Sequence, residues 1–446
     1  WPRADCDDDD WYRNPGAVDV PGNGQDENCD GGDAEPYVPQ RLSPGVLPDT
    51  VRPPLNVVML VVDSLSPAHM GLYGYSRDTT PQLGALAANA AVFTNARSVS
   101  PQTLLAFLTL FSGQYPVHVP RIENSPFCSV TDEVTLLAER LRDATYNNVA
   151  IPMPWVLEFS KGFDQGFSRF EPAQRTNLVA GLVASRERTT ARTLAAIDEL
   201  QGGRFFLVSH FSCAHWPYDT ERQDYGFGHK DPDRFDTCIR TCDASLATIV
   251  RRIVDSPLQD STVVILTSDH GEEFGEHGFQ THGDTLFERA LQIPLVVWGP
   301  GVVSRRIEAP VSQVDFAPTI LHLAGVPIPD DMEGVSLAPA LFGADPAIPA
   351  DREVFAYTNK PLNGPRNILA VIRGRYKLIW QLQGNRLSLF DIIQDPDERN
   401  DLAALYVDVT ASLKGRLDGW YFYRNEDSFH QNVESGQNPG SVTGGP

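Results

Sequence analysis

The chain has 446 residues, 41% of them hydrophobic, and a formal net charge of −22 at pH 7. That length accommodates a large α/β domain plus one or two smaller ones, and no apolar run approaches the roughly 20 residues that span a bilayer. The acidic balance argues against nucleic acid as a partner. With Trp1 in place of an initiator Met and no signal peptide, the chain reads as processed or trimmed.

The acid is concentrated at the start, where residues 1–38 hold 11 acidic and 2 basic side chains. DCDDDD (Asp5 to Asp10) and DENCDGGD (Asp26 to Asp33) are dense in oxygen ligands. Asp26, Asn28 and Asp30 before Gly31 follow the alternate-residue spacing of a calcium loop, where Gly permits the sharp turn. Cys6 and Cys29 sit inside the two clusters and are placed to staple them, and so many carboxylates in a short run repel one another without a cation. The segment resembles the DCDD…NCDG calcium-binding repeats of secreted bacterial surface proteins. Residues 1–36 are therefore expected to form a calcium module with Asp5, Asp7, Asp9, Asp26, Asn28, Asp30 and Asp33 as ligands. A disulfide there implies an extracellular, cell-surface or periplasmic setting. Residues 37–54, rich in proline, read as a linker.

From residue 55 an α/β pattern begins. Asn56 to Val62 (NVVMLVV) is an apolar, β-branched run, the pattern of a strand buried on both faces, and Asp63 follows it directly. Thr79-Thr80-Pro81 opens a helix through a Thr cap and Pro in the first turn. SPQTLLAFLTLFSG is a loop entering an apolar helix that stops at Ser112-Gly113, with Thr103 in the first turn, where free backbone N–H groups favour an anion. Phe205 to Phe211 (FFLVSHF) is another buried strand leading to His215-Trp216-Pro217-Tyr218. Val263 to Leu266 is a third, followed by Asp269, His270, Glu272, Glu273, Glu276, His277 and His282. Two strands each delivering an Asp at the carboxyl edge, one with an adjacent His, suit a divalent metal of the Zn or Mn type. Leu295-Val296-Val297 and VDFAPTILHLAG complete the domain.

NVVMLVVDSL, YGYSRDTTPQL, SPQTLLAFLTLFSGQYP, HWPY, LTSDHGEEFGEHG, THGDTLFE, IPLVVWGPG and VDFAPTILHLAG, then EGVSL, RGRYKL and LFDIIQDPDERNDL, occur in the order found in sulfatases, members of the alkaline phosphatase superfamily. The resemblance covers about Asn56 to Leu402. It implies an α/β fold, an alkaline phosphatase-like α/β/α sandwich over residues 55–350, a smaller C-terminal α+β subdomain with an antiparallel sheet over 351–420, and an extended tail over 421–446. It implies Asp63, Asp269 and His270 as ligands of an active-site divalent metal (Ca, Mn, Zn or Mg). Thr103 falls at the nucleophile position, and His215 and His282 resemble the cations that hold the substrate oxyanion; His277 is counted with the catalytic residues.

The sequence also departs from that family. Sulfatases carry CxPxR or SxPxR at the nucleophile for conversion to formylglycine; here the run is Thr103-Leu104-Leu105-Ala106-Phe107. Thr cannot become formylglycine, although Thr nucleophiles occur in relatives that transfer phosphoethanolamine or phosphoglycerol. Phe107 stands where a cation meets the anion, one helical turn after Thr103 and so facing the pocket, and Ser64 stands where many sulfatases have a second Asp. Two expectations follow. One is a secreted metal-dependent hydrolase or transferase of phosphate or sulfate esters using Thr103. The other is a catalytically degenerate protein of the same fold with a structural, matrix or surface role. The partners expected are an anionic ester or a cell-surface polymer, with homo-oligomer or surface assembly. Of the other cysteines, Cys238 and Cys242 share a helix face, and a bridge from Cys213 to one of them is the simplest pairing.

Overall fold

The computed structural model describes residues 6, 13–14, 17, 19–29, 31–49, 51–124, 127–153, 162–171, 178–218, 225–343, 348–359 and 367–423. Asp5, Asp7, Asp9 and Asp30 of the expected calcium module, and residues 424–446 of the expected tail, lie outside the described residues. The chain divides into two compact units. One comprises Arg41–Gly283 with Arg289–Ala350, the other Trp1–Gln40 with Asp284–Glu288 and Asp351–Pro446.

The larger unit is built on an eight-stranded sheet. Its spatial order is Arg305–Ile307, Ala91–Phe93, Leu295–Trp298, Thr262–Ser268, Asn56–Val62, Phe205–Phe211, Asn147–Ile151 and Arg169–Phe170. The Leu295–Trp298 strand runs against its two neighbours, and the other strand pairs are parallel. Every residue of Asn56–Val62, Phe205–Phe211 and Thr262–Ser268 is buried, which is why those runs are predominantly apolar rather than alternating. Alternation shows instead in which core each residue joins. Val57, Met59 and Val61 enter a cluster with Leu108, Phe111, Phe316 and Ile320, whereas Val58, Leu60 and Val62 enter one with Ile197, Phe235, Ile239 and Leu246. The sheet is therefore sandwiched between helices Thr103–Ser112 and Phe316–Leu323 on one face and Leu178–Leu200 and Asp231–Val254 on the other. Cys213 bridges Cys242 of the Asp231–Val254 helix.

The smaller unit carries an antiparallel four-stranded sheet in sequence order, Val354–Thr358, Ile368–Arg373, Tyr376–Gln381 and Arg386–Asp391, with the helix Val407–Phe422. The Trp420 ring stacks on Phe355 at 4.9 Å, and Tyr37 meets Phe355 edge-on at 5.5 Å. Gly419 is required where the N-terminal segment crosses this helix, because a Cβ there would lie 2.2 Å from the Glu35 carbonyl oxygen. Cys6 is bridged to Cys29. Nearby carboxylates order the turns by accepting backbone N–H groups. Asp33 accepts from Gly22 and Gly24 at 2.8 and 2.7 Å, and Asp26 from Gly31 at 2.9 Å.

Candidate active site

The site follows from register. Val62 pairs with both Ser268 and Phe211 in parallel ladders, so the chain leaves the sheet at the same level in adjacent strands and Asp63 and Asp269 emerge beside each other. By alternation both extend the series that faces the Thr103 helix, as does His210, which continues Phe206 and Val208 on its own strand. Ser268 Oγ ties the two strand ends together, donating to Val62 O at 2.6 Å and accepting from Leu65 N at 2.9 Å. Gln313 Nε2 and Ser98 Oγ each donate to the Asp269 carbonyl at 2.6 Å, fixing the turn that carries His270.

Thr103 is the first residue of its helix, but Gln102 is the N-cap. The Thr103 hydroxyl is therefore not spent on capping; its Oγ1 lies 3.2 Å from His270 Nε2. His270 Nδ1 lies 3.0 Å from the Gly271 carbonyl, a contact that puts the ring proton on Nδ1 and leaves the Nε2 lone pair facing Thr103. The helix ends at Gly113 with φ 71°, and a Cβ there would meet Met332 at 2.8 Å.

Ser64 holds a left-handed backbone, φ 62°, a conformation that strains a residue other than Gly. Its N–H donates to Asp269 Oδ1 at 3.1 Å and its hydroxyl to Asp63 Oδ1 at 2.9 Å. The second oxygens are unsatisfied. Among the described residues, Asp63 Oδ2, Asp269 Oδ2 and both ring nitrogens of His210 are buried with no hydrogen-bond partner. Buried polar atoms left in this state are costly, and orphaned acceptors facing one another fit a divalent cation. Two sets of ligand atoms lie within 4.8 Å of one another: Asp63, His210 and Asp269, and Asp63, His270 and His282.

Burial, then the neighbouring Asp269, pushes the Asp63 carboxyl well above its ordinary range. Burial holds His270 well below the usual histidine value, helped by the charge on His282, and brings His210 down to about 4. His282 goes the other way. Burial opposes its charge, but the Glu272 carboxylate beside it outweighs that and holds it at about 9. His282 Nδ1 lies 3.1 Å from Glu272 Oε1 and 3.2 Å from Ser64 Oγ, and Tyr218 OH donates to Glu272 Oε2 at 2.9 Å.

The structure thus brings together Asp63, Thr103, Asp269, His270 and His282 of the residues singled out from the sequence. His215 is near, its ring edge-on to His282 at 5.2 Å, but burial and the His282 charge lower its pKa, which suits a neutral imidazole rather than a cation. His277 is held by Glu273 at 3.0 Å and belongs to neither set of ligand atoms. Asp26, Asn28 and Asp33 sit in the other unit. Phe107 does not face an open pocket: it is 1% exposed, packed against Phe111, with its ring 4.6 Å from that of His210. Three contributors were missed, namely His210, Glu272 and Tyr218. For His210 the available signal was an imidazole one residue before the end of a mostly apolar strand that leads into HWPY.

The family model for sulfatases matches residues 55–326, more than half of the chain, and that for the C-terminal part of N-sulphoglucosamine sulphohydrolase matches 275–420. Arylsulfatase K of Bos taurus is 33% identical over 197 residues, 40% of this chain and 34% of the relative. The matched part thus spans about a third of the length of the curated arylsulfatases. An ulvan-active sulfatase of Formosa agariphila is 23% identical over 400 residues, covering 78% of this chain and 76% of that one. Among solved structures, a 2-O GAG sulfatase superposes with TM-score 0.71 at 19% identity, over 84% of this chain and 94% of that one. The phosphonate monoester hydrolase of Agrobacterium radiobacter gives 0.65 at 18%, over 81% and 94%. The sulfatase model covers more than half of the chain and the fold matches: this chain belongs to the sulfatase family.

Proposed function

We propose that the chain is a metal-dependent hydrolase of sulfate or phosphate esters in which the Thr103 hydroxyl is the nucleophile. The observation that carries this reading is the 3.2 Å approach of Thr103 Oγ1 to His270 Nε2 beside two buried, converging carboxylates. A divalent cation held by Asp63 and Asp269 would polarise the ester oxygens and neutralise their charge. The sequence placed His270 among the metal ligands; its contact with Thr103 favours it instead as the acceptor of the hydroxyl proton. Thr103 Oγ1 then forms a bond to sulfur or phosphorus while the bond to the leaving alkoxide breaks, and His282, charged at neutral pH, donates a proton to that alkoxide. Water resolves the threonyl ester. The relatives named as sulfatases favour sulfate, whereas Thr103, which cannot become formylglycine, favours phosphate. The test is a panel of aryl sulfates, phosphates and phosphonates with mass spectrometry of acid-quenched protein. Turnover with a covalent adduct on Thr103, both absent in Thr103→Ala at unchanged metal content, is the expected result. Turnover that survives Thr103→Ala refutes the assignment.

A non-catalytic reading has one observation in its favour: Phe107, at the position of a cation in the formylglycine motif, is in the core. Metal-loaded protein inactive on every ester class would select it. For the N-terminal segment we infer calcium binding through Asp26, Asn28 and Asp33, with Asp5, Asp7, Asp9 and Asp30, on the strength of their spacing and the Cys6–Cys29 bridge. Two disulfides favour an oxidising location outside the cytosol. No helix among the described residues is long and apolar enough to cross a membrane.

A further inference from the structure

We propose that His210 is a metal ligand, completing with Asp63 and Asp269 a mixed oxygen and nitrogen site that selects a zinc-type ion over calcium. The inference deepens the proposed function and rests on its metal-dependent reading. Neither the chain's acidic motifs nor the Asp269-His270 pair points to His210; the geometry does.

The first argument is unsatisfied valence. His210 is 1% exposed, and Asp63 and Asp269 are fully buried. Among the described residues, the Asp63 Oδ2, Asp269 Oδ2 and His210 Nε2 atoms have no hydrogen-bond partner. A structural core histidine ordinarily donates one ring nitrogen and accepts at the other, and His210 does neither. The second argument is distance. His210 Nε2 lies 3.7 Å from Asp63 Oδ2 and 3.9 Å from Asp269 Oδ2. These are too long for hydrogen bonds. Two ligands each about 2.0–2.1 Å from one zinc at the tetrahedral angle, however, stand roughly 3.4 Å apart, so small movements would close the set. The third argument is support. Phe107 backs the imidazole at 4.6 Å, and the strand backbone holds its Cα, with His210 paired to Val61 on one side and the preceding Ser209 to Ile151 on the other. Ligands so held cannot rearrange to the six to eight oxygens calcium prefers, whereas imidazole with carboxylates suits zinc and its neighbours. Phe107 thereby gains a purpose, as the wall that keeps His210 against the two carboxylates.

The test uses the full chain, stripped with a chelator, then titrated with Zn²⁺ against a chromophoric competitor and separately loaded with Co²⁺ for its visible spectrum. Asp269→Asn supplies the background from the N-terminal carboxylates, and His277→Ala is the control variant. The proposal expects zinc to bind at least tenfold more tightly than calcium. It expects His210→Ala and the bulkier His210→Gln to weaken zinc tenfold or more and shift the cobalt bands, and His277→Ala to change neither. Unchanged zinc affinity and cobalt spectrum in a folded His210 variant, or a preference for calcium, overturns it. If neither His210 variant folds, X-ray absorption on zinc-loaded His270→Ala/His282→Ala protein decides. An imidazole in the zinc shell supports the proposal; its absence, or no bound zinc, overturns it. Ester turnover measured in parallel keeps the two readings apart. Zinc bound through His210 without turnover refutes the proposed function alone, and turnover with wild-type metal affinity in His210→Gln refutes this inference alone.

Discussion

Replacing Asp269 with Asn should make the metal-free protein more stable and the metal-loaded protein less so. In the wild type the facing carboxylate oxygens of Asp63 and Asp269 lie within 4.8 Å of each other. Two unit charges at that distance repel by about 3.5 kcal/mol at an effective dielectric of 20. Protonation of Asp63, whose pKa burial and Asp269 raise, relieves part of this, so a gain of about 1–3 kcal/mol is expected. The other oxygen of Asp269 accepts from Ser64 N–H at 3.1 Å and His270 N–H at 2.9 Å, and an Asn carbonyl oxygen keeps both bonds. The substitution therefore removes charge with little loss of structure. With a cation present the sign reverses: a ligand at 100 times its dissociation constant stabilises the wild type by about 2.7 kcal/mol, and the variant forgoes that. Thermal melts of both proteins, with chelator and with added divalent metal, give the four numbers needed. A variant that melts below the wild type in chelator would refute the reasoning, since it would mean the two carboxylates are not held in repulsion.

Three further outcomes are expected. Lys377, fully buried, lies 3.0 Å from Glu288 Oε1 and 2.9 Å from Glu398 Oε1, so Lys377→Met removes the cation facing two buried carboxylates and should cost about 3–5 kcal/mol in denaturant unfolding; a loss under about 1 kcal/mol contradicts the burial argument. Asp19 is pushed up to about 7 by burial, then by its hydrogen bond with Glu27. Because its folded pKa is the higher one, its contribution is complete below the unfolded value and is lost as pH rises through about 7. Asp19→Asn should flatten the fall in stability between about pH 4 and 7, and an unchanged slope counts against the assignment. For the N-terminal module, limited proteolysis should spare the first 35 residues or so in calcium and cleave them in chelator, and equal protection in both removes the calcium reading.

The sequence exposed the parts of this site that lie where an apolar run stops. Asp63 and Asp269 were visible because a buried parallel strand must end before it can present a charge, so the first acidic residue after each run marks the sheet's carboxyl edge. Register was not visible, but it follows once the strands are paired: Val62 opposite Ser268 aligns the two carboxylates. His210 was hidden because it lies inside its run, where a lone His reads as an ordinary core residue. Only the strand partner reveals that its level is Val61, two residues before Asp63 on the same face. Glu272 was hidden among three acidic residues in five, and nothing local distinguishes the one that meets His282 from Glu273, which takes His277. Phe107 shows the limit of same-face reasoning. It does share a face with Thr103, yet the first turn of the helix is at the rim and the second is already inside the core. Thr80 is the N-cap of the Pro81–Leu86 helix as read, but its hydroxyl accepts from Leu72 N–H at 2.9 Å rather than from the helix's own first turn.

If the chain acts on an anionic ester as proposed, the charges of this site link that ester to the metal. With both carboxylates ionised, Asp63, Asp269 and Glu272 contribute three negative charges. His282 contributes one positive charge, held there by Glu272. Burial keeps His210 and His270 neutral and lowers His215, and Phe107 supplies no cation. Unloaded, the site is therefore net negative and repels a sulfate or phosphate ester. A divalent cation would bring that balance to zero. In a formylglycine-type site an arginine on the helix would carry part of that load whether or not metal were present. Here Phe107 of the helix carries no charge, and the neighbouring strand carries the His210 imidazole. On the proposed function, attraction for the ester would fall to the metal ion rather than to a fixed side chain, which would make metal binding and substrate binding reciprocal partners in one equilibrium.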